Sequence, residues 1–245
     1  MIKLDLSKAY DRLNWNYLRE VLRAFGFCNR WIEWISAMIS STNFPILMNG
    51  TPSQPSRASR GLRQGDPLSP FLFIIVVEGL GRYIKKEVRE KKLKGIQIWG
   101  NNLSITHQQF VDDIMLFCNV SLREVRRIKA TLDIFMTALG TQINNEKSCT
   151  YFFNTAENIR NFMTRTLGFR SGELPTRYLG TPLALNPLRI SNWQQTIDKI
   201  ARKLENWSFR TLNFGSRAIL VKAVLQSILL INYRQWQPQK EHVQR

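Results

Sequence analysis

The stretch Gln108–Phe117 constrains the fold more than any other, because two adjacent carboxylates, Asp112 and Asp113, interrupt two strongly apolar, β-prone runs. Apolar residues that stop at a polar pair and then resume are typical of a β-hairpin, so we predict a hairpin with both aspartates at its tip. Two like charges side by side repel each other and require either water or a cation. For this stretch alone, an acidic surface turn is the simpler interpretation.

The balance of charge points to a polyanionic partner. The 245 residues include 35 Lys and Arg against 18 Asp and Glu, which gives a formal net charge of +17 and a pI near 10.3. A soluble domain this basic most often meets nucleic acid. A membrane surface is the alternative, but the basic residues are spread along the whole chain without a polybasic cluster. With 44% hydrophobic residues the chain can bury a substantial core, in one large or two modest domains.

Cysteine usage and hydropathy bear on the cellular compartment in which the protein is expected. Three cysteines far apart in sequence argue against a disulfide framework, and two histidines cannot build a zinc site at ordinary spacings. The longest apolar run, Phe71–Val77, is too short to span a bilayer, and the N-terminus has no signal-peptide pattern. We therefore expect an intracellular protein, in the nucleus or cytoplasm, with no membrane partner.

Periodicity predicts an α+β fold. Alternation over Ile2–Ser7 predicts a strand that presents Asp5 on the face opposite the core. Helical spacing predicts two helices within Leu13–Ser41, one from Pro70 to about Lys91, one over Leu122–Leu139 closed by Gly140, and further helices within Ser191–Ile231. Short strands are predicted over Phe44–Met48, Lys94–Trp99, Ser104–Phe110 and Ile114–Cys118. This order suits an antiparallel sheet with helices on one face.

The segment Gly61–Pro70 places two glycines and two prolines around polar residues and leads directly into a helix. Ser69 suits the N-cap of that helix and Pro70 its first turn. A glycine-rich loop before a helix could hold a phosphate or nucleotide. Capped turns of this composition are common, so the segment alone is a weak signal.

One chemistry would require Asp5 on a strand and Asp112-Asp113 at a hairpin tip. Nucleotidyl transfer uses two divalent ions roughly 3.5 to 4 Å apart, and Mg²⁺ prefers a few carboxylates plus substrate phosphates. Two or three aspartates that converge from neighbouring strands are sufficient. This interpretation predicts that the strand of Asp5 lies next to the hairpin in the sheet.

Five ordered stretches resemble the successive palm motifs of reverse transcriptases of non-LTR (LINE-type) retrotransposons, particularly those of plants. They are Asp5–Asp11, Gly61–Pro70, Phe110–Asp113, Gly140–Ser148 and Tyr178–Gly180. A group II intron maturase is the nearer alternative, but the match from Gly140 onwards fits LINE-type elements better. The resemblance covers nearly the whole chain.

The resemblance implies roles for individual residues at the metal site. Asp5, Asp112 and Asp113 match the metal-binding aspartates, which implies two Mg²⁺ (or Mn²⁺) ions as cofactors. Tyr10 matches the aromatic gate that stacks under the sugar and excludes a ribose 2′-hydroxyl; a core aromatic is the alternative. Val111 stands where alanine is more usual, and we expect that position to be tolerant.

The resemblance also implies groups that hold substrates. Gln64 and Gly65 match the loop against the incoming nucleotide and template, where glycine permits close backbone approach. Lys147 matches a candidate general acid for the pyrophosphate leaving group; in isolation it would be an ordinary surface lysine. Tyr178-Leu179-Gly180 resembles the hairpin that grips the primer end.

At the level of domains, the resemblance implies a right-hand polymerase fold with the palm at residues 1–185 and a helical, thumb-like segment at residues 186–245. A thumb would contact the duplex backbone through Lys and Arg. A helical bundle with a solvated charged face is the alternative, because it predicts the same pattern of basic residues. The family carries a fingers region before the strand of Asp5, and Met1 lies four residues before that aspartate. We therefore expect the fingers to be largely missing.

The implied function is RNA-directed DNA polymerisation, in which deoxynucleotides are added to a DNA primer on an RNA template. The alternative is a non-catalytic nucleic-acid-binding remnant of a degraded retrotransposon. Glu78, a carboxylate within an apolar helix, has no role that the sequence explains.

Overall fold

The computed structural model describes residues 1–41, 43–44, 47–54, 56–97, 104–185, 188–207 and 213–226. The strands in these ranges are β1 Ile2–Ser7, β2 Asn43–Phe44, β3 Leu47–Met48, β4 Thr51–Pro52, β5 Ser56–Arg57, β6 Ile96–Gln97, β7 Ser104–Ile105, β8 His107–Phe110, β9 Asp113–Leu116, β10 Gln142–Ile143, β11 Cys149–Thr150, β12 Arg170–Ser171, β13 Thr176–Tyr178 and β14 Thr181–Leu183. The α-helices are α1 Ala9–Arg12, α2 Trp15–Ala24, α3 Asn29–Ser40, α4 Ser69–Arg89, α5 Leu122–Leu139, α6 Glu157–Leu167, α7 Gln194–Trp207 and α8 Phe214–Leu220, with a 3₁₀ turn at Ile190–Trp193 and a π turn at Val221–Leu225.

A six-stranded sheet organises the N-terminal part of the chain. Its strand order is β12-β11-β1-β9-β8, and β10 also pairs with β1. β1 runs antiparallel to β9, β10 and β11, so the first strand of the sequence lies at the centre of the sheet. Pairs as distant as Ile2 and Thr150 therefore meet, and the sheet forms only when both ends of this part of the chain come together.

One face of the sheet is covered by helices. Ile2, Leu4 and Leu6 of β1 are buried, whereas the alternate residues of β1 are only half-buried. The buried residues form one core with apolar residues of α2, α4, α5 and α6. The α+β prediction with helices on one face is confirmed. We call the helix-covered side the closed face and the side of Lys3, Asp5 and Ser7 the open face.

Helices α4 and α5 are joined by an ion pair at the edge of this core. Glu87 is buried, and its carboxylate accepts two hydrogen bonds from the Arg127 guanidinium, one of them of 2.8 Å from Nη2 to Oε1. Helix α5 matches its predicted bounds, with Ser121 as N-cap and Gly140 at φ 79° after the last turn. The capping residues that flank the apolar periodicity thus set both ends of α5.

Several predicted boundaries differ from the structure. The prediction of Ser69 as N-cap is wrong: Leu68 is the N-cap and Ser69 is the first helical residue. The reason is a turn at Asp66, whose side chain accepts from the Leu68 N–H at 2.7 Å and whose carbonyl accepts from the Ser69 N–H at 3.3 Å. Predicted strand Phe44–Met48 is represented by β2 and β3 on either side of residues 45–46. Residues 98–99, 208–212 and 227–231, which belong to predicted strands and helices, lie outside the described ranges.

The chain divides into two compact units, Met1–Gly172 and Glu173–Arg245. The first unit contains the six-stranded sheet, and the second contains the β13–β14 hairpin and the C-terminal helices. The division into a palm at 1–185 and a thumb-like segment at 186–245 stays a prediction. None of the helices among the described residues is long and apolar enough to cross a membrane. None of the three cysteines forms a disulfide.

Candidate active site

Two of the three predicted metal-binding aspartates lie side by side on the open face. β1 and β9 are neighbours, and their antiparallel register places Asp5 directly opposite Asp113. Side chains directly opposite in an antiparallel pair have Cβ atoms about 4.5–5.5 Å apart. The predicted adjacency of the two strands is therefore confirmed, and the pairing brings together carboxylates that are more than 100 residues apart in sequence.

The third aspartate lies in the turn between β8 and β9. Phe110 pairs with Asp113, so the two-residue loop of this hairpin is Val111-Asp112 and the predicted tip is wrong by one residue. Two-residue hairpin loops need a positive φ, and Val111 provides it at 55°. A β-branched residue seldom adopts this conformation, so Val111 is held in a strained backbone geometry; the expectation of a tolerant position stays a prediction. Asp113 is already a strand residue, which fixes its direction through the ladder.

The carboxylates act on one another and on Tyr10. Burial raises the pKa of Asp113, and the charges of Asp112 and Asp5 raise it further, whereas Lys3 lowers it. Burial also raises the pKa of Tyr10, with a further contribution from the charge of Asp112. Tyr10 and the three carboxylates therefore share one electrostatic environment.

The loop between β10 and β11 holds the backbone of Asp5. The Asn144 N–H donates to the Asp5 carbonyl at 2.9 Å, and the Asp5 N–H donates to Ser148 Oγ at 3.1 Å. Ser148 is fully buried. The Asn144 side chain accepts from the N–H groups of Glu146 and Lys147 at 3.1 and 3.3 Å, which fixes the turn. Neither Asn144 nor Ser148 had a specific role predicted from the sequence, although an Asn before a polar turn is a signal for this geometry.

Lys147 is brought to the site by the same loop. Its Nζ lies 3.9 Å from Asp5 Oδ2, and its side chain is 69% exposed. An ion pair this exposed adds little stability, so it does not by itself explain why a lysine is present. Lys147 is thus an exposed cation beside the Asp5 carboxylate.

Tyr10 is fixed between the core and the site. Its ring stacks on Phe73, with centroids 4.6 Å apart and planes at 16°, and its carbonyl accepts from the Leu62 N–H at 2.7 Å. Tyr10 is only half-buried. The gate and the core interpretations of this residue are therefore compatible, because one ring face packs on Phe73 while part of the side chain remains accessible.

The segment from Gly61 to Gly65 packs beside Tyr10. Gly61 has φ +86°, and a Cβ there would lie 2.5 Å from the Asp11 carbonyl oxygen. Gln64 Nε2 donates to Asp11 Oδ1 at 3.1 Å. Gly65 also has φ +86°, but no other atom lies within 4 Å of a Cβ built there. Gly61 is thus required by packing, whereas Gly65 faces open space.

The hairpin predicted at Tyr178-Leu179-Gly180 is present in the second unit. Tyr178 pairs with Thr181, and Leu179 and Gly180 form the loop at φ 50° and 83°. Both loop residues have positive φ, which is the requirement of a type I′ turn. Its predicted role at the primer end stays a prediction.

Glu78 lies on α4 beside β8. Its side chain is 41% exposed, with Oε1 3.8 Å from Lys85 Nζ. A Cβ built at Gly81 would lie 3.0 Å from His107 Nε2 and 3.6 Å from Glu78 Oε2, so the three groups share one contact region. Glu78 is therefore a surface carboxylate that faces β8.

The donor set of the site suits a hard cation. In the part of the chain that the structure describes, no three His, Cys, Asp or Glu side chains are arranged as a ready metal cluster. Asp5, Asp112 and Asp113 nevertheless offer only oxygen donors and repel one another. Mg²⁺ is typically held by one or two carboxylates plus substrate phosphates, so a complete protein cluster is not required.

A cavity of about 830 Å³ lies behind the β10–β11 loop. Its lining includes Arg12, Arg60, Lys129, Gly140 and Asn145 but none of the three aspartates. Lys129 is paired with Asp133 at 3.0 Å. This cavity is therefore distinct from the carboxylate site.

Comparison with known proteins adds a family match. A family model described as reverse transcriptase (RNA-dependent DNA polymerase) matches residues 1–183. The Pol polyprotein of the type-2 retrotransposable element R2DM of Drosophila melanogaster is 30% identical over 147 residues, which cover 60% of this chain and 13% of the relative. The 149 kDa protein of transposon TX1 of Xenopus laevis is 23% identical over 232 residues, or 92% of this chain and 17% of the relative. The chain thus spans less than a fifth of either relative.

Among solved structures, one match is telomerase from Candida albicans in complex with a fragment of telomeric RNA. The match covers 64% of this chain and 27% of that chain, with a TM-score of 0.48 and 14% identity. Apo telomerase from Candida tropicalis, truncated from its C-terminal domain, covers 64% of this chain and 31% of that chain with a TM-score of 0.46 and 21% identity.

Proposed function

The chain belongs to the reverse transcriptase (RNA-dependent DNA polymerase) family, and we propose on this premise that it carries the palm of an enzyme that extends a DNA primer on an RNA template. The observation that carries the proposal is the pairing of Asp5 with Asp113 on adjacent strands, with Asp112 in the connecting turn. The order of the five motifs along the chain supports the same assignment.

Asp5, Asp112 and Asp113 would hold two Mg²⁺ or Mn²⁺ ions. When bound, such ions lower the barrier to attack by the primer 3′-oxygen and stabilise the departing pyrophosphate. Burial raises the pKa of Asp113, and the charges of Asp112 and Asp5 add to this effect; the proposal agrees with that environment, because a cation would relieve the repulsion among the carboxylates. The carboxylates are held by the ladder and by the Asn144 and Ser148 bonds to Asp5, so little reorganisation is needed.

In this proposal three side chains would position the incoming deoxynucleotide. Tyr10, fixed against Phe73, would lie under the sugar and exclude a 2′-hydroxyl. Gln64, oriented by Asp11, would contact the nucleotide or template, and the open space at Gly65 leaves room for close approach. Lys147 lies near Asp5 and would donate a proton to the pyrophosphate leaving group.

The primer and template would occupy the remaining surfaces. The Tyr178-Leu179-Gly180 hairpin would contact the primer end, and residues 186–245 would act as a thumb through their basic side chains. The net charge of +17 supports binding to the phosphate backbone of an RNA–DNA duplex.

Primer extension tests the proposal. The purified chain is given an RNA template, an annealed DNA primer and all four deoxynucleotides with Mg²⁺ or Mn²⁺. We expect extension by the parent, and its loss in Asp112→Asn and Asp113→Asn. Asp133→Asn, an exposed carboxylate of α5 that forms an ion pair with Lys129, is the matched control and should extend as the parent does.

A different outcome would favour the non-catalytic alternative. If no protein extends the primer, while all remain folded by circular dichroism and bind the duplex in a salt-dependent manner, the chain is a binding remnant and the catalytic proposal is wrong. Extension that survives Asp113→Asn would refute the assignment of the metal-binding residues.

A further inference from the structure

The cavity of about 830 Å³ behind the β10–β11 loop is basic. Its volume is typical of a site for one small ligand. Arg12, Arg60 and Lys129 line it, and Asp133 is the only carboxylate among the lining residues, which leaves a net charge of +2. Because Asp133 is paired with Lys129 at 3.0 Å, the uncompensated charge belongs to the two arginines.

Neither arginine has an anionic partner among the residues that the structure describes. Arg12 Nη1 donates to Gln142 Oε1 at 3.3 Å, which holds its guanidinium against another residue of the cavity lining. Arg12 is half-buried and Arg60 is exposed. A guanidinium is always charged and presents its donors in a fork that matches phosphate oxygens, so this pair suits an oxyanion.

Arg12 and Arg60 meet because Gly61 packs closely on the segment that follows β1. The Gly61 N–H donates to the Leu13 carbonyl at 2.8 Å, and a Cβ at Gly61 would lie 2.5 Å from the Asp11 carbonyl oxygen. Arg12 lies between Asp11 and Leu13, and Arg60 directly precedes Gly61. The two arginines are therefore neighbours in the fold although they are far apart in sequence.

The end of α5 holds the same segment from another side. Gly140 closes α5 at φ 79°, and a Cβ there would lie 3.0 Å from the Arg12 carbonyl oxygen. The Asn14 N–H donates to the Leu139 carbonyl at 2.9 Å. A second cavity of about 200 Å³ is lined by Arg12, Arg60, Asn14 and Gly140. The two cavities share both arginines, so these side chains border open space on a fixed backbone.

We propose that Arg12 and Arg60 bind a polyphosphate anion in the 830 Å³ cavity, supplied either as free pyrophosphate or as the polyphosphate group of a nucleotide. Two guanidinium groups that line one cavity repel each other, and an anion with several charges relieves that repulsion. Gln142 and Asn145 add amide groups to the lining, and amide N–H groups donate to phosphate oxygens. A polyphosphate has more charge and more oxygens than sulfate or a monophosphate, so it is the class that engages both arginines at once.

This anion site is separate from the proposed metal site and goes beyond the proposed function. None of the three aspartates lines the cavity. The β10–β11 loop contacts both sites, because the Asn144 N–H donates to the Asp5 carbonyl while the next residue, Asn145, lines the cavity. Binding to the arginines requires no divalent ion and no catalysis.

Isothermal titration calorimetry of the full chain with inorganic pyrophosphate tests the proposal. EDTA is present so that no divalent ion bridges the anion to the aspartates, and salt at roughly 0.15 M screens distant charges. We expect one pyrophosphate per chain in the parent. Arg12→Gln and Arg60→Gln should each weaken binding about tenfold or more, because each removes a charge-assisted hydrogen bond. Arg126→Gln removes the same charge from an exposed position of α5 outside the cavity lining and should bind as the parent does.

The choice of anion separates the two sources of polyphosphate. Pyrophosphate and dATP should both bind, and the tighter of the two identifies the source. We expect dAMP and sulfate to bind about tenfold more weakly or less. Binding of dAMP or sulfate as tight as that of pyrophosphate would overturn the assignment to a polyphosphate.

Chemical modification gives a second readout that needs no variant. Phenylglyoxal reacts with accessible guanidinium groups, and pyrophosphate should slow its reaction at Arg12 and Arg60 but not at Arg126, as followed by mass spectrometry of peptides. Lys147→Gln should keep the parent affinity for pyrophosphate, because Lys147 lies beside Asp5 and outside the cavity lining. Loss of binding in Lys147→Gln, or equal affinities in the parent and both arginine variants, would overturn the proposal.

The anion site and the catalytic proposal fail separately. Primer extension by a parent chain that binds no pyrophosphate in EDTA would refute the anion site and leave catalysis standing. Pyrophosphate binding that depends on Arg12 and Arg60, without primer extension, would refute catalysis and leave the anion site standing.

Discussion

Gly61 and Gly65 have the same backbone conformation and different surroundings, so alanine at each position separates strain from packing. Both have φ +86°, where a residue with a Cβ costs about 1–2 kcal/mol. This cost and the reduced entropy of the unfolded chain are common to both substitutions and cancel in their comparison. The difference between Gly61→Ala and Gly65→Ala therefore reports the local contacts alone.

The contacts differ sharply. A Cβ at Gly61 would lie 2.5 Å from the Asp11 carbonyl oxygen and 2.9 Å from its carbon, and these are backbone atoms that cannot rotate away. The same glycine donates to the Leu13 carbonyl at 2.8 Å and accepts from Trp15 Nε1 at 2.7 Å. Overpacking of this kind typically costs about 1–3 kcal/mol. We expect Gly61→Ala to be less stable than Gly65→Ala by that amount.

Urea denaturation followed by circular dichroism measures the difference in the free energy of unfolding between the two variants. Equal slopes of this free energy against urea concentration show that both variants unfold in the same way. Primer extension gives the complementary readout, because Gly65→Ala should keep most of the stability but raise the KM for deoxynucleotides. Unfolding free energies that agree within about 0.5 kcal/mol would refute the assignment of Gly61 to packing. A KM unaffected by Gly65→Ala would refute the nucleotide role of the open space.

Three further predictions concern polar groups that the fold buries completely or in part. The fold raises the pKa of Asp113, so protonation of this carboxyl favours the folded state. The resulting contribution to the free energy of unfolding is complete below the ordinary carboxyl pKa of about 3.9 and is lost as the pH rises through the pKa of the folded state. Asp113→Asn should therefore be more stable than the parent at pH 7 by no more than about 1 kcal/mol, with the gain absent near pH 3, and a Tm series against pH checks it. Glu87→Gln should lower the free energy of unfolding by about 1.5–3 kcal/mol because it weakens the ion pair of a buried carboxylate with Arg127, whereas Glu20→Gln, in an exposed pair, should leave the urea midpoint unchanged. Ser148→Ala leaves the Asp5 N–H without its acceptor and should cost about 1–3 kcal/mol in urea denaturation; an unchanged midpoint would contradict the role of this bond.

Local patterns predicted much of the fold. The alternation over Ile2–Ser7 predicted Asp5 opposite the core, and the helical periodicity closed by Gly140 predicted the bounds of α5 to the residue. These predictions succeeded because burial period and capping chemistry are properties of neighbouring residues. The same reasoning failed at Ser69, where the Asp66 turn started the helix one residue early.

The sequence by itself determined which residue types are available: the three candidate metal-binding aspartates, a basic chain, an aromatic after the first strand and glycines in the loop before α4. Tertiary structure alone decided how they meet. The Asp5–Asp113 register, the Ser148 bond to Asp5 and the hydrogen bond from Arg12 to Gln142 all join residues more than 100 positions apart. Such contacts depend on strand order and on a register in which a slip of one residue would turn every side chain to the other face. No local pattern encodes that register, because it is set by the packing of the whole closed face.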